Sequence, residues 1–168
     1  MAGPIPTRPA RPNLERLSIA VVASLYNYDF VQGLIDAARD EWDQIAPNAT
    51  VTVYRVPGAF EVPVCAELIL RSSKPDAVVG FGVILRGATD HADLVGASVT
   101  DALQRMAVTH CVPVVHEVLL LDNEEQAEER CLGTRINRGT EAARVAINMI
   151  SLFSTMRAKF SGAAAPQA

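Results

Sequence analysis

The alternation of two hydrophobicity patterns along the chain is the feature that most restricts its fold. Apolar or β-branched runs typical of strands occur at 17–25, 50–55, 77–85 and 112–121. Segments with apolar residues at helical spacing follow them, at 30–46, 60–72, 90–110, 122–131 and 139–159. Strands that alternate with helices predict an α/β fold, in which helices cover both faces of a four-stranded parallel sheet.

The length of 168 residues corresponds to one domain. Four of the ten prolines fall within residues 1–13, where they predict an extended N-terminal arm. We assign residues 14–160 to a single domain, and we expect the small and polar residues 161–168 to form a flexible tail.

Composition and charge exclude several classes of function. With 15 Lys and Arg against 19 Asp and Glu, the net charge is −4, which disfavours binding to a nucleic acid. No apolar run reaches the length of a membrane-spanning helix, and no signal-peptide core is present, so we expect a cytoplasmic protein without membrane contact. Cys65, Cys111 and Cys131 are too widely spaced for a disulfide framework or a zinc ribbon. We expect all three to be reduced and mostly buried, and we expect no metal site.

The predicted topology indicates where a ligand would bind. In parallel α/β sheets, ligands occupy the crevice beyond the carboxyl ends of the strands. Four segments follow strand ends here: 26–27, 56–61, 86–91 and the residues from 120 onward. Candidate functional residues are therefore sought in these four segments.

The first two segments carry an aromatic ring and a carboxylate. Tyr26 is either a flat platform for a planar ring or a partly buried core aromatic. Pro57 and Gly58 predict a sharp turn that lets the backbone approach a ligand. Glu61 follows at a helix start, where it either caps the helix or accepts hydrogen bonds from a polyol or a ring amine.

The third segment predicts an anion site beside a histidine. A turn of small residues leads into a helix, whose first backbone N–H groups are free to bind an anion. His91 lies in the first helical turn, where the helix dipole disfavours a positive charge on the ring. It is either a general base or a histidine on a helix surface. The glycines here fit neither GxGxxG nor a Walker loop, so a nucleotide site is not indicated.

The fourth segment carries an arginine within an acidic run. Arg130 either pairs with Gln126 or Glu129 on a solvated helix face or binds a phosphate group with its guanidinium. Spacing alone leaves both interpretations open.

Four stretches, in this order, resemble the lumazine synthase family. They are VPGAFEVP at 56–63, VILRGATDH at 83–91, EEQAEER at 124–130 and NRGTEAA at 137–143. The resemblance extends over about residues 17–159 and implies a flavodoxin-like three-layer sandwich. It also implies a transferase that condenses 5-amino-6-(D-ribitylamino)uracil with 3,4-dihydroxy-2-butanone 4-phosphate. The product is 6,7-dimethyl-8-ribityllumazine, the penultimate intermediate of riboflavin biosynthesis, and phosphate and water are released without a metal or redox cofactor.

The same resemblance implies roles for individual residues. His91 transfers protons as the catalytic residue, while Tyr26 stacks on the pyrimidinedione ring. Other substrate contacts are expected from Asn27, Ala59, Phe60, Glu61, Val83, Ile84 and His116, the last of these from a neighbouring subunit. Phosphate is expected to bind the amides of Ala88 and Thr89 and the guanidinium of a neighbour's Arg130. Arg138 and Glu141 match positions at or beside the site.

The chain departs from the family pattern at three places. Tyr26 stands where Phe or Trp is usual, Leu25 replaces a commonly basic residue, and His116-Glu117 replaces Phe-Gly. These departures motivate an alternative function, a lumazine- or flavin-binding or storage protein with little turnover. A third hypothesis is a shell that encloses riboflavin synthase.

Assembly is also implied by the resemblance. Family members form homopentamers with active sites at subunit junctions, and some close into icosahedral shells of sixty subunits. The short link at 131–139 favours a shell, whereas the proline-rich arm is poorly suited to add a strand to a neighbouring sheet. The sequence leaves the choice between pentamer and shell open.

Overall fold

The computed structural model describes residues 7–12 and 16–162. It confirms the predicted alternation of strands and helices. The strands are β1 (Leu17–Ser24), β2 (Ala49–Val56), β3 (Ala77–Leu85) and β4 (Val114–Leu121). The helices are α1 (Tyr28–Ile45), α2 (Val62–Ser72), α3 (His91–His110), α4 (Glu124–Ala127) and α5 (Arg138–Gly162), with a 3₁₀ turn at Ala59–Glu61 and a π-helical turn at Glu128–Leu132.

The four strands form one parallel sheet in the order β2-β1-β3-β4. From β1, the chain proceeds to one edge of the sheet through β2 and then returns to build the other half through β3 and β4. The direction of winding reverses between β1 and β3, and such a reversal opens a crevice at the carboxyl ends of the two strands. The fold class predicted from sequence is confirmed.

The sheet separates two apolar cores, which explains the near-continuous apolar sequence of its central strands. Every residue of β1 except Ser18 is buried. One core lies between the sheet and helices α1 and α5, and the other lies between the sheet and helices α2 and α3. Trp42 of α1 is fully enclosed in the first core, and its ring N–H donates to the Ala143 carbonyl of α5 at 3.2 Å.

Close helix packing in the first core depends on one glycine. A Cβ atom at Gly139 would lie 2.0 Å from the Leu34 carbonyl oxygen, so no larger residue fits without separating α5 from α1.

The chain termini bear on two of the sequence-based expectations. Within the predicted arm, residues 7–12 have no regular secondary structure and lie against α1 and α5, while residues 1–6 and 13 are outside the described residues. The predicted tail begins inside α5, which continues through Gly162, and residues 163–168 are also outside the description.

The three cysteines are free, but the expectation that they are mostly buried is wrong. Cys131 is buried and Cys65 is partly buried, whereas Cys111 is exposed. Cys111 ends α3 in the left-handed backbone region, with φ at 49°, where the chain turns outward before β4.

Candidate active site

A cleft of about 710 Å³ opens at the carboxyl ends of β1, β2 and β3, at the winding reversal of the sheet. Three of the four segments selected from the sequence converge there. The residues that line it are Tyr26, Asn27, Gly58, Ala59, Phe60, Glu61, Val83, Ile84, Leu85, His91, Leu94, Val95 and Ser98. The cleft is mostly apolar with a few polar groups, which is the usual character of a small-molecule site.

Tyr26 presents its ring to this cleft from the turn after β1. The residue is 71% exposed, so the interpretation as a partly buried core aromatic is wrong. The backbone N–H of Tyr26 donates to the Pro57 carbonyl at 3.2 Å, and this hydrogen bond joins the segment at 26–27 to the segment at 56–61. Asn27 has a left-handed backbone, and its side-chain amide donates to the Val83 carbonyl of β3 at 2.7 Å. The Tyr26 turn is therefore anchored to both neighbouring strand ends.

Gly58 allows the Tyr26 ring and the second segment to approach closely. A Cβ atom there would lie 3.1 Å from Cδ2 of Tyr26 and 3.0 Å from Oε2 of Glu61. The Gly58 N–H donates to Glu61 Oε2 at 2.9 Å, so the capping interpretation of Glu61 is confirmed. Glu61 also lines the cleft, and its role as an acceptor for a polyol or a ring amine stays a prediction.

Helix α3 forms the remaining wall and begins with His91. Leu94, Val95 and Ser98 follow His91 at helical spacing on the same face and also line the cleft. The sequence analysis missed these three residues. The signal that identifies them is the i, i+3, i+4, i+7 series that starts at the candidate base.

The turn between β3 and α3 is open to solvent. Ala88 and Thr89 are exposed between Leu85 and His91, which both line the cleft, although neither Ala88 nor Thr89 lines it. Asp90 precedes α3 without a side-chain cap, so the first N–H groups of the helix are available to an anion. The neighbouring Arg86 is held by Asp93 and Asp122, each at 2.8 Å, and is neutralised by them.

The fourth segment lies apart from the cleft within one chain. Asn123 caps α4 by accepting from the Gln126 N–H at 2.9 Å, and the π-helical turn then carries Arg130. One guanidinium nitrogen of Arg130 lies 3.4 Å from both the Gln126 carbonyl and Glu129 Oε2. These long contacts are the ones that the solvated-face interpretation predicts, and they hold the guanidinium loosely.

His116 lies on β4 with its ring toward α3. The Thr100 hydroxyl donates its proton to the Gly96 carbonyl at 2.8 Å, so the 2.9 Å contact with His116 requires an N–H on Nε2 of the ring. Burial lowers the pKa of His116, which favours the uncharged ring. His116 belongs to a second groove of about 660 Å³ beside β4, distinct from the cleft of its own chain.

Three titratable side chains of β4 and α5 form a cluster on the opposite face of the sheet. Arg138 Nη1 donates to Glu141 Oε2 at 2.5 Å. Arg138 Nε and Glu141 Oε1 are buried and lack a hydrogen-bond partner among the described residues. Burial raises the pKa of the nearby Glu117 carboxyl to about 7, with Arg138 opposing the rise and Glu141 adding to it.

Metal and membrane sites were sought in the described part of the chain. No group of three or more His, Cys, Asp or Glu side chains is placed to hold a metal ion in residues 7–12 and 16–162. Within the same ranges, no helix is both long enough and apolar enough to cross a membrane.

The family model and the curated relatives indicate the same family. The family model described as 6,7-dimethyl-8-ribityllumazine synthase matches residues 16–154. The proteins of that name from Sulfurimonas denitrificans and Chlorobium phaeobacteroides are 37% and 40% identical over 140 residues, which cover 82% and 80% of this chain and 90% and 87% of theirs. The Aquifex aeolicus protein is 36% identical over 144 residues, 85% of this chain and 94% of its own. A solved acetyl xylan esterase structure is 13% identical with a TM-score of 0.38 and covers 84% of this chain and 74% of its own.

Proposed function

The chain belongs to the 6,7-dimethyl-8-ribityllumazine synthase family, and from this premise we propose that the cleft beside Tyr26 and His91 is its active site. The enzyme is a transferase that condenses 5-amino-6-(D-ribitylamino)uracil with 3,4-dihydroxy-2-butanone 4-phosphate. The products are 6,7-dimethyl-8-ribityllumazine, phosphate and water, in the penultimate step of riboflavin biosynthesis. The observation that supports this site is the convergence of an exposed ring, a carboxylate and a histidine at the winding reversal of the sheet.

The pyrimidinedione ring stacks on Tyr26 in this proposal. The Tyr26 backbone N–H donates to the Pro57 carbonyl, Gly58 leaves space for the ring, and the apolar side chains of Val83 and Ile84 line the same cleft. The side chain of Asn27 fixes the turn from the other side. An aromatic platform opposite an apolar wall binds a planar heterocycle through stacking and burial.

The ribityl chain lies along the second segment. Ala59 and Phe60 offer backbone groups in the 3₁₀ turn, and Glu61 offers carboxylate oxygens to the hydroxyl groups. Because Glu61 Oε2 already accepts from the Gly58 N–H, the carboxylate is held in place before a ligand arrives.

Proton transfer belongs to His91. The amine of the uracil attacks the ketone of the butanone phosphate, phosphate is eliminated and the second ring closes, and each of these steps moves a proton. His91 stands at the start of α3, on the cleft wall and beside the open anion turn. A base at this position is within reach of both reactants once they are bound, and much of the acceleration comes from holding the two reactants together.

The phosphate group binds the N–H groups of Ala88 and Thr89, and we propose that the guanidinium of Arg130 comes from a neighbouring subunit. Arg130 does not line the cleft of its own chain, and its contacts within the chain are long. The groove beside the sheet edge at β4, lined by apolar residues and His116, is where a neighbouring subunit packs. Arg138 and Glu141 complete this shared border.

Small-molecule substrates and oligomerisation are general properties of the family. We propose a homopentamer with sites at its subunit junctions, which is also the unit from which a shell of sixty subunits and an enclosed riboflavin synthase would be built. We also propose that the enzyme works in the cytoplasm, where the free thiols of its three cysteines stay reduced.

A turnover assay with the two defined substrates tests the function. We expect lumazine absorbance to form at a rate far above the uncatalysed reaction and His91→Ala to reduce that rate by about 10²–10⁴-fold. His110→Ala, at the other end of the same helix, is the matched control and keeps the wild-type rate. A wild-type rate near the uncatalysed one, together with tight binding of the product, contradicts the proposal and identifies a binding protein.

Mixed oligomers test the shared site. Arg130→Ala loses affinity for phosphate and the butanone phosphate, whereas Arg135→Ala, which pairs with the same Glu129, keeps it. Oligomers that contain both His91→Ala and Arg130→Ala subunits regain activity, because some junctions combine two intact halves. Verified mixed oligomers without recovered activity contradict a site shared between subunits.

A further inference from the structure

A carboxyl group interrupts the apolar row of β4 that faces α5. Side chains of a strand alternate between its faces, so Glu117 shares a face with Val115 and Leu119. Val115 is part of the core under α1 and α5, and Leu119 packs against that core. On β3, the residue in register with Glu117 is the uncharged Phe81. Because burying a titratable group costs free energy, packing alone does not explain why Glu117 stands in this row.

Among the described residues, one cation, one further acid and a thiol interact electrostatically with Glu117. Helix α5 contributes Arg138 and Glu141, and the π-helical turn contributes Cys131. Cys131 in turn interacts electrostatically with Arg130, the arginine of the proposed phosphate site. The remaining α5 side chains beside Glu117 in the β4 groove, Val145, Met149 and Phe153, carry no charge.

The Arg138 guanidinium interacts electrostatically with two carboxyl groups, those of Glu117 and Glu141. Arg138 pairs with Glu141, which is 7% exposed, rather than with Glu117. The pairing is incomplete because Arg138 Nε and Glu141 Oε1 both stay buried without a partner in the part of the chain that the structure describes. Buried polar atoms without partners are costly, so this arginine has a reason to change partners when the charge beside it changes.

We propose that Glu117 is a positioning residue for Arg138: protonated, it leaves the guanidinium on Glu141, and ionised, it competes for the same guanidinium and draws it toward β4. The consequence for catalysis rests on the proposed function, which places Arg138 at the same subunit border as the phosphate-binding Arg130. The affinity of the enzyme for the phosphate group then falls as Glu117 loses its proton.

The pKa of Glu117 places this change near neutrality. Burial raises it from 4.5 to about 7, and the opposing charge of Arg138 is offset by that of Glu141. The side chain is neutral below this value and ionised above it. Small changes of pH around neutrality thus shift the competition between the two carboxylates for Arg138.

The first experiment follows the carboxyl itself in the assembled wild-type enzyme. Infrared difference spectra are recorded from about pH 5 to about pH 9, a range that brackets the expected ionisation. We expect a protonated-carboxyl band that disappears with a midpoint near 7 in the wild type. The band is absent in Glu117→Gln and present in the control Glu125→Gln, whose carboxyl is exposed on α4. Its absence in the wild type overturns the proposal.

The second experiment measures what the ionisation does. Calorimetric titration with inorganic phosphate across the same range gives an affinity that falls with pH by about fivefold or more in the wild type, a typical coupling between sites. In Glu117→Gln, only the ionisation of phosphate itself remains in the profile, and Glu117→Asp restores part of the wild-type profile. The KM for the butanone phosphate follows the same pattern, while kcat changes less. Identical pH profiles for the wild type and Glu117→Gln overturn the positioning role.

The two proposals fail in distinguishable ways. The infrared and phosphate titrations need no turnover, so an inactive protein that shows both effects contradicts the proposed function alone. An active enzyme whose Glu117→Gln variant keeps the wild-type profile contradicts the positioning role alone. Circular dichroism and the size of the assembly establish that each variant is folded.

Discussion

A buried carboxyl group and a partly buried one beside the α1 and α5 layer behave in opposite ways. Glu41 on α1 is 4% exposed and accepts from Arg8 and Arg144, with each hydrogen bond at 2.8 Å. Burial pushes its pKa upward, but the two arginines lower it further than burial raises it. Glu117 shares a single arginine with Glu141, and its pKa rises to about 7. Burial raises the pKa of both acids, and only at Glu41 do two hydrogen-bonded arginines outweigh it.

The two clusters also differ in their roles. The Glu41 cluster joins the N-terminal segment, α1 and α5 with complementary charges and holds the fold together. The Glu117 cluster has one cation too few for its two acids, and such an arrangement responds to protons. Perturbed titration of this kind concentrates at functional sites.

The largest expected effect comes from breaking the Glu41 cluster. Glu41→Gln removes the carboxylate that pairs with both Arg8 and Arg144, and the side chain of Arg144 is only 17% exposed, so we expect a loss of about 3–5 kcal/mol of unfolding free energy. Urea unfolding at neutral pH measures it, with the exposed Asp40→Asn as the control. The wild-type contribution is present above 4.5 and is lost as pH falls through the lowered pKa of Glu41. A loss no larger than that of the control contradicts a structural role for this cluster.

The second-largest effect on the free energy of unfolding is expected at Glu117, and its dependence on pH is opposite to that of Glu41. The unfolded chain ionises this group near 4.5 and the folded chain only near 7, so wild-type stability declines between these values as pH rises. Each pKa unit corresponds to about 1.4 kcal/mol. From acid to alkaline pH, we therefore expect the unfolding free energy of Glu117→Gln to rise by up to about 3 kcal/mol relative to that of the wild type.

Unfolding by urea at several pH values measures this gain, and Glu125→Gln serves again as the control. A constant difference between Glu117→Gln and the wild type across the range would show that Glu117 titrates normally in the fold.

The smallest effect is expected from the outer member of the Glu41 cluster. Arg8 is 48% exposed, so its charge is screened by solvent, and Glu41 keeps Arg144 when Arg8 is removed. We expect Arg8→Ala to lower the unfolding temperature far less than Glu41→Gln does. Thermal unfolding compares it with Arg11→Ala, whose side chain, within the described residues, donates to the Gln44 backbone carbonyl at 3.2 Å. A cost near that of Glu41→Gln would mean that the N-terminal segment contributes to the core of the fold.

Much of the fold was predictable because the spacing of apolar residues along the sequence shows which side of each strand or helix is buried. The predicted strand at 77–85 agrees with β3 (Ala77–Leu85), and each predicted helix has a counterpart. The candidate cleft was predictable for the same reason, since strand ends identify the ligand edge of a parallel sheet. The orientation of Tyr26, the exposure of Cys111 and the cleft residues Leu94, Val95 and Ser98 were not predicted, because each depends on how a helix or turn is rotated against the sheet.

The sequence by itself determined the parallel α/β layers, the edge at which the candidate cleft opens and the family, because periodicity and short motifs are local properties of the chain. Only the tertiary structure decided which charges meet. Arg8, Glu41 and Arg144 are far apart in sequence, as are Glu117 and Arg138, and neither cluster has a recognisable spacing. Electrostatic interactions depend on distance and burial in three dimensions. The pKa of Glu41 is therefore lowered and that of Glu117 raised only once the helices pack on the sheet.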